Sequence, residues 1–319
     1  MRVSPYIRFM FYTSLPERGL IRLFGDDTLS FLQGLVSNDV LHLPHKGIVY
    51  AALLTPQGKF LHDFFLIDWQ GAVLIDCEKQ RLPDLIKRLS MYKLRSKITI
   101  EALPESMGVV AMWNPCHAAL VAAPPSITGR PRNECGVTVF FSDPRLPELG
   151  WRAVGEIAVL ETWCREQNMQ PADAIAYDRM RLELGVPDGS RDLIVEKSTL
   201  LPFGFEQLHG VDFNKGCYVG QEVTARTKHI GQMRKFLHKI TLRNNVPPLP
   251  GAPIYLGEEM AGTLGSWRDG IGLALLNSEV VEKAKKLSMD LRCDEALLTA
   301  EIPEWATSSS PSPSGRGTG

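Results

Sequence analysis

The feature that most constrains this chain is a change of texture at about residue 236. Upstream, from about residue 14, strand-like and helix-like runs follow one another continuously. Downstream, short apolar strands are separated by Gly and Pro, as in Pro248-Leu249-Pro250-Gly251-Ala252-Pro253 and in Gly262 to Gly272. Mixed runs build layered α+β bodies, whereas short strands with frequent turn residues close into small barrels. The expected fold class is therefore α+β with a small C-terminal β-barrel of roughly 60 to 70 residues. A chain of 319 residues is long enough for two domains and a proper core. The expected divisions are an N-terminal extension at 1–13, an α+β region at 14–235, a barrel at 236–302 and a disordered tail at 303–319. Thr307 to Gly319 is nearly all Ser, Pro, Gly and Thr, and such a segment cannot bury enough apolar surface to offset its ordering entropy.

Within the α+β region, Gly19 to Phe24 reads as a strand, and Thr28 to Val36 as a helix capped by Thr28. Val49 to Leu54 and Phe60 to Asp68 form a hairpin about the turn Thr55-Pro56-Gln57-Gly58-Lys59. Ala72 to Cys77, Lys97 to Ala102, Gly108 to Trp113 and Val137 to Phe141 read as further strands. Helices are expected over Lys79 to Met91, Ile157 to Gln167 and Ala172 to Leu184, and a loop over Ala123 to Glu134.

A formal net charge of -1 gives no global field for nucleic acid or an anionic membrane, so neither is expected as a direct partner. The six cysteines, at 77, 116, 135, 164, 217 and 293, include no CxxC pair. A self-contained metal site is not expected, and free thiols in a reducing compartment are. No stretch has the length of a membrane span. The N-terminal MRVSPYIRFMFYT lacks the apolar core of a secretory signal, so the expected location is the cytoplasm. Its arginines and lack of acids leave a short presequence, and thus the mitochondrial matrix, as the alternative.

The densest chemistry lies in Lys215-Gly216-Cys217-Tyr218-Val219-Gly220-Gln221-Glu222. An ammonium near a thiol favours the thiolate, the form that acts as nucleophile or ligand. Gly216 and Gly220 allow positive φ and close approach of a ligand to the backbone. Gln221 and Glu222 add an amide and a carboxylate, and a carboxylate can grip an aminopyrimidine edge through paired N–H bonds. Two readings of Cys217 stand on spacing alone: a small packed side chain, or a reactive thiol. The polar residues that follow (Thr224, Arg226, Thr227, Lys228, His229) favour the second.

The run KGCYVGQEVTAR, continuing as TKHIGQMRK, resembles the signature of the YgfZ family of folate-binding proteins, relatives of the glycine-cleavage T-protein, an aminomethyltransferase. Phe31 to Val40, Leu54 to Lys59, Arg181 to Pro187 and Gly262 to Leu275 resemble further elements of that family, so the likeness spans roughly residues 14 to 300. The resemblance implies a T-protein-like ring of α/β subdomains around a folate-sized hole, with Cys217 facing the hole. It also implies tetrahydrofolate or a derivative as cofactor. The implied partners are iron–sulfur assembly proteins and [4Fe–4S] client enzymes, including radical enzymes that modify tRNA.

Carried onto this chain, the resemblance makes Cys217 and Lys215 the catalytic candidates. The folate-binding candidates are Glu17, Asp63, Glu148, Lys215, Gly216, Tyr218, Gly220, Gln221, Glu222 and Arg226. His62 and Asp63 occupy the positions of an Asp-Asp pair in the true aminomethyltransferase, which makes glycine-cleavage chemistry doubtful. Pro147 to Arg152 corresponds to a pterin-holding stretch, where Glu148 keeps the contact and Arg152 reverses a charge. The reading is a folate-binding accessory factor whose thiol ligates iron transiently, exchanges with a disulfide or persulfide, or accepts a one-carbon adduct. The rivals are a folate-dependent one-carbon transferase or demethylase, and a scaffold with a vestigial folate site.

Overall fold

The computed structural model describes residues 10–114, 138–230, 233–244 and 246–307. The expected loop at 123–134, the part of the expected tail beyond 307, Cys116 and Cys135 lie outside these residues; within the expected tail, Glu304–Thr307 instead forms a short helix whose Trp305 packs on Gly204. The first sheet is antiparallel, with strands in the order Ile48–Leu54, Phe60–Trp69, Ala72–Glu78, Arg18–Phe24 and Thr99–Ala102. Its hairpin turns at Gly58, where φ is +69°, and Gly58 N–H donates to Thr55 O. The Phe60–Trp69 strand is covered on both faces. Phe64 and Leu66 pack with Ile21, Leu23, Leu85 and Leu89, while Phe65 and Ile67 pack with Tyr50, Leu54 and Leu74. A strand buried on both sides reads as a continuous apolar run, and the adjacent His62 and Asp63 are its buried polar exceptions.

The second sheet runs Gln170–Pro171, Phe11–Ser14, Met107–Trp113, Trp151–Glu156 and Val139–Ser142. Only the Phe11–Gln170 pairing is parallel. The helix Ile157–Glu166 covers it through Leu160 and Cys164, which join Tyr12, Val110 and Met112 in one core cluster. Beyond it the expected barrel is a closed one of six strands, from Lys235–Leu242 to Ala296–Glu301. A helix at Ser278–Leu287, not anticipated, lies against it and buries Val280, Val281 and Ala284. The barrel is fastened by polar bonds. Arg181 Nη2 donates to Ser266 Oγ (2.8 Å), Ser266 N–H to Asp192 Oδ1 (2.8 Å), and Arg268 Nε to Asp178 Oδ2 (2.9 Å). Gly204, at φ +74°, lies so close to the Trp305 ring that a Cβ would come within 2.2 Å of it.

Two local expectations are corrected. The Thr28 helix ends at Gln33, and its N-cap is Asp27; Thr28 Oγ1 donates back to Gly25 O instead. Leu35 and Val36 have helical spacing, but Val36 pairs as a bridge with Leu53. The carbonyls of Gln33 and Val36 accept hydrogen bonds from Lys215. Long-range bonds have displaced the last turn that periodicity alone would extend. The helix expected over Lys79 to Met91 is a 3₁₀ turn at Lys79–Arg81 followed by a helix at Leu82–Lys93, with Pro83 in the first turn, where its missing N–H costs nothing.

Candidate functional site

The structure divides the candidate residues between two places. Lys215 to Glu222 packs against the end of the Thr28–Gln33 helix and the hairpin turn. Val219 N–H donates to Gly34 O (3.1 Å). Tyr218 is buried in the main core, and its N–H donates to Gln221 Oε1 (3.1 Å). Gly220 has φ +82°, and a Cβ there would lie 2.5 Å from Thr55 O, so only glycine fits against the turn. Gly216 has nothing within 4 Å of an added Cβ and is not among the positive-φ glycines; the backbone freedom expected there is needed only at Gly220. Glu222 and Arg226 are exposed on the helix Gln221–Ile230.

Cys217 is exposed, whereas Cys77, Cys164 and Cys293 are buried. Among the described residues no cluster of three or more His, Cys, Asp or Glu side chains could hold a metal ion. Lys215 has a structural role that was not expected. Its ammonium, held by burial down to a pKa of about 8, donates to Gln33 O (2.8 Å), Val36 O (2.6 Å) and Asn38 O (2.7 Å). An ammonium has three donors, so none is left for a thiolate.

The second place is a cavity of about 510 Å³, which takes in Glu17, Asp63 and Arg152 but none of Lys215 to Glu222. Its volume lies in the range of small-molecule sites, about 300–1,000 Å³. Cys217 does not line it, contrary to the expectation that it faces the hole. Glu148 is exposed on a 3₁₀ turn, Pro147–Leu149, and does not line it either.

Phe65 forms part of the cavity wall, with the guanidinium groups of Arg152 (4.5 Å), Arg145 (4.9 Å) and Arg18 (5.9 Å) around its ring centroid. Each is anchored. Arg18 Nε and Arg152 Nη2 donate to the two carboxylate oxygens of the wholly buried Asp76, at 2.6 and 2.7 Å. Arg145 makes a two-pronged pair with Asp143, at 3.0 and 2.8 Å. Burial opposes ionisation of Asp143, but Arg145 and Arg152 outweigh it and hold its carboxyl below the usual range.

Asp63 stands among these charges with Tyr50 Oη donating to its Oδ2 (2.8 Å). Its Oδ1 is buried with no hydrogen bond, and so is Arg152 Nε. Burial, and then the neighbouring Glu78, push the Asp63 carboxyl up to about 6. His62, one residue before it, points to the other face, where Nε2 meets Asp84 Oδ2 at 2.8 Å. Burial and Arg81 bring it down to about 4 despite Asp84. Strand alternation thus gives the cavity Asp63 alone of the pair. An unpaired acceptor and an unpaired donor, both buried, on a cavity with an aromatic wall fit a heteroaromatic ring with polar edges such as a pterin.

A carboxyl whose folded pKa lies above its unfolded one binds its proton more tightly in the native state. Stability then falls as pH rises from about 4 through 6, and ionised Asp63 costs up to about 3 kcal/mol above that. Asp63→Asn is therefore expected to raise the urea midpoint at pH 8, by about 1–3 kcal/mol in stability, with the gain shrinking towards zero as pH falls to 4. An equal effect at both pH values would show that charge is not the cause.

The chain shares 33% identity with the mouse "iron–sulfur cluster assembly factor IBA57, mitochondrial", covering 91% of this chain and 84% of that protein. The human protein of the same description is 31% identical over the same shares. The chain belongs to the IBA57 family. Residues 234–308 match the family model described as the CAF17 C-terminal β-barrel domain, the segment that closes as the six-stranded barrel. The glycine cleavage system aminomethyltransferase T from Bartonella henselae superposes with a TM-score of 0.71 over 93% of this chain and 86% of its own, at 15% identity. The T-protein-like fold expected from the motifs is therefore shown, and at that identity the likeness speaks for fold alone. This IBA57-family chain has, among its described residues, no helix long and apolar enough to cross a membrane.

Proposed function

We propose that this chain is an iron–sulfur cluster assembly factor that binds tetrahydrofolate or a derivative in the Asp63 cavity and presents the Cys217 thiol to its protein partners. Kinship with the IBA57 proteins supports the assembly role. The observation that carries the mechanism is the separation of an exposed thiol from a cavity that does not include it. Bound folate supplies one-carbon carrier chemistry. Asp63 is the acceptor for an aminopyrimidine edge, Phe65 offers an aromatic face, and Glu17 lies at the cavity's exposed side. Gly220 and Tyr218 support the Cys217 loop rather than touch this ligand.

The exposed thiol serves partners: iron–sulfur assembly proteins and [4Fe–4S] client enzymes, among them the tRNA-modifying enzymes implied by the YgfZ likeness. A single thiolate cannot hold a cluster, so any iron it takes is shared with a second protein. The mitochondrial descriptions of the relatives favour the mitochondrial matrix for this chain over the cytoplasm. One observation favours a second reading, a folate-dependent one-carbon transferase: Asp63 is a cavity carboxyl with its pKa moved to about 6, suited to proton transfer. Methylene transfer from an amine to tetrahydrofolate, lost in Asp63→Asn, would establish it.

Titration calorimetry with tetrahydrofolate tests the cofactor. One molecule per chain is expected to bind, with at least about a tenfold loss in Asp63→Asn, since the aminopyrimidine contact would be weakened. No heat with the native chain would refute folate binding.

A further inference from the structure

The loop that displays Cys217 is tied to residues 33–38 ahead of its tip and packs through Tyr218 and Gly220 behind it. Residues 209–219 run beside residues 33–38, joined by hydrogen bonds from both side chains and main chain. Ser37 Oγ donates to Gly210 O (2.6 Å), Asn38 Nδ2 to His209 O (2.7 Å), Asp212 N–H to Ser37 O (3.0 Å) and Val219 N–H to Gly34 O (3.1 Å). Between Asp212 and Val219 the connection is the Lys215 side chain. Its Nζ reaches three carbonyl oxygens at 2.6–2.8 Å and lies 5.0 Å from the Tyr218 ring centroid.

The geometry matches the group. Three N–H donors meet three acceptors, and the ammonium has no acceptor of its own to leave unpaired. Gln33 O closes a helix whose C-terminal carbonyls carry partial negative charge and attract a cation. A guanidinium is planar and longer and cannot direct three donors into the same cage. Gly216 and Cys217, by contrast, are exposed, and an added Cβ at Gly216 would meet nothing within 4 Å. The loop tip has little packing of its own to fix it.

We propose that Lys215 is the positioning residue for the Cys217 thiol: its ammonium, caged by the carbonyls of Gln33, Val36 and Asn38, fixes the loop that presents the sulfur. The proposal rests on Cys217 being the working thiol. It differs from thiol activation by charge, because a caged ammonium sets where the sulfur stands.

The test uses the full chain with Lys215→Ala, Lys215→Met and Lys215→Arg. Hydrogen exchange read by mass spectrometry is expected to quicken by about tenfold across 214–219 in all three, a loss of local closure. The methionine variant keeps the aliphatic stem, so its unfolding midpoint shows whether the fold persists. Added methylammonium, with three N–H donors, is expected to restore protection in Lys215→Ala, and tetramethylammonium, with none, is not. In cells lacking the endogenous factor, [4Fe–4S] enzyme activity is expected to fall by about tenfold with Lys215→Arg as with Lys215→Ala. Native protection in Lys215→Ala, or native activity in Lys215→Arg, overturns the proposal, the latter because charge alone would then suffice. Loss of the working-thiol reading would show separately, as full activity in Cys217→Ala, and leaves the exchange and amine-rescue results to be read on their own.

Discussion

Asp76→Ala is expected to destabilise the fold by about 3–5 kcal/mol, the cost of leaving buried charge without its partner. The Asp76 side chain has no exposed surface and joins Arg18 and Arg152. Arg18 would keep one bond, from Nη2 to the main-chain oxygen of residue 76 (2.7 Å). Arg152, almost wholly buried, would keep Asp143 at 3.8 Å, and its Nε already has no partner. Such a loss is a large part of a typical domain's 5–15 kcal/mol. Guanidinium chloride unfolding reads it directly. The double variant Asp76→Ala with Arg152→Met is expected to recover part of the loss, because an apolar pair replaces an orphaned charge. A loss under about 1 kcal/mol for the single variant would mean that water screens the cluster.

Cys217→Ala is expected to abolish function while leaving stability within about 0.5 kcal/mol of native, since an exposed side chain away from packing contributes little. The buried cysteines predict the reverse pattern. Burial pushes the Cys77 and Cys164 thiols up to about 12, which keeps them protonated and inert. Modification of the native chain by a thiol reagent is therefore expected at Cys217 before either. Faster labelling of Cys77 or Cys164 would contradict the assignment.

The hairpin, the barrel and the motif were legible because each is contiguous in sequence and marked by local signals: periodicity, turn residues or a specific run. Asp63 was legible through its neighbour His62, although the sequence does not say that strand alternation sends them to opposite faces. Of the arginines around Phe65 only Arg152 drew notice, as a charge reversal in the stretch Pro147 to Arg152, and the cluster itself was not legible. Arg18, Arg145 and Arg152 come from separate parts of the chain, and each alone reads as a surface charge. The one available signal was Asp76, an acid inside the apolar run Ala72–Glu78, which asks for a buried cation. The anchoring role of Lys215 was missed for a similar reason. Nearness in sequence to Cys217 suggested an electrostatic partner, whereas its bonds go to residues some 180 positions away.

The most direct test of the account is complementation of a strain lacking its own factor with native chain or Cys217→Ala at matched protein levels. Activities of [4Fe–4S] enzymes would be scored beside enzymes that carry no cluster. The native chain is expected to restore the cluster enzymes and Cys217→Ala is not, with the other enzymes unchanged. Restoration by Cys217→Ala to the native level would contradict it.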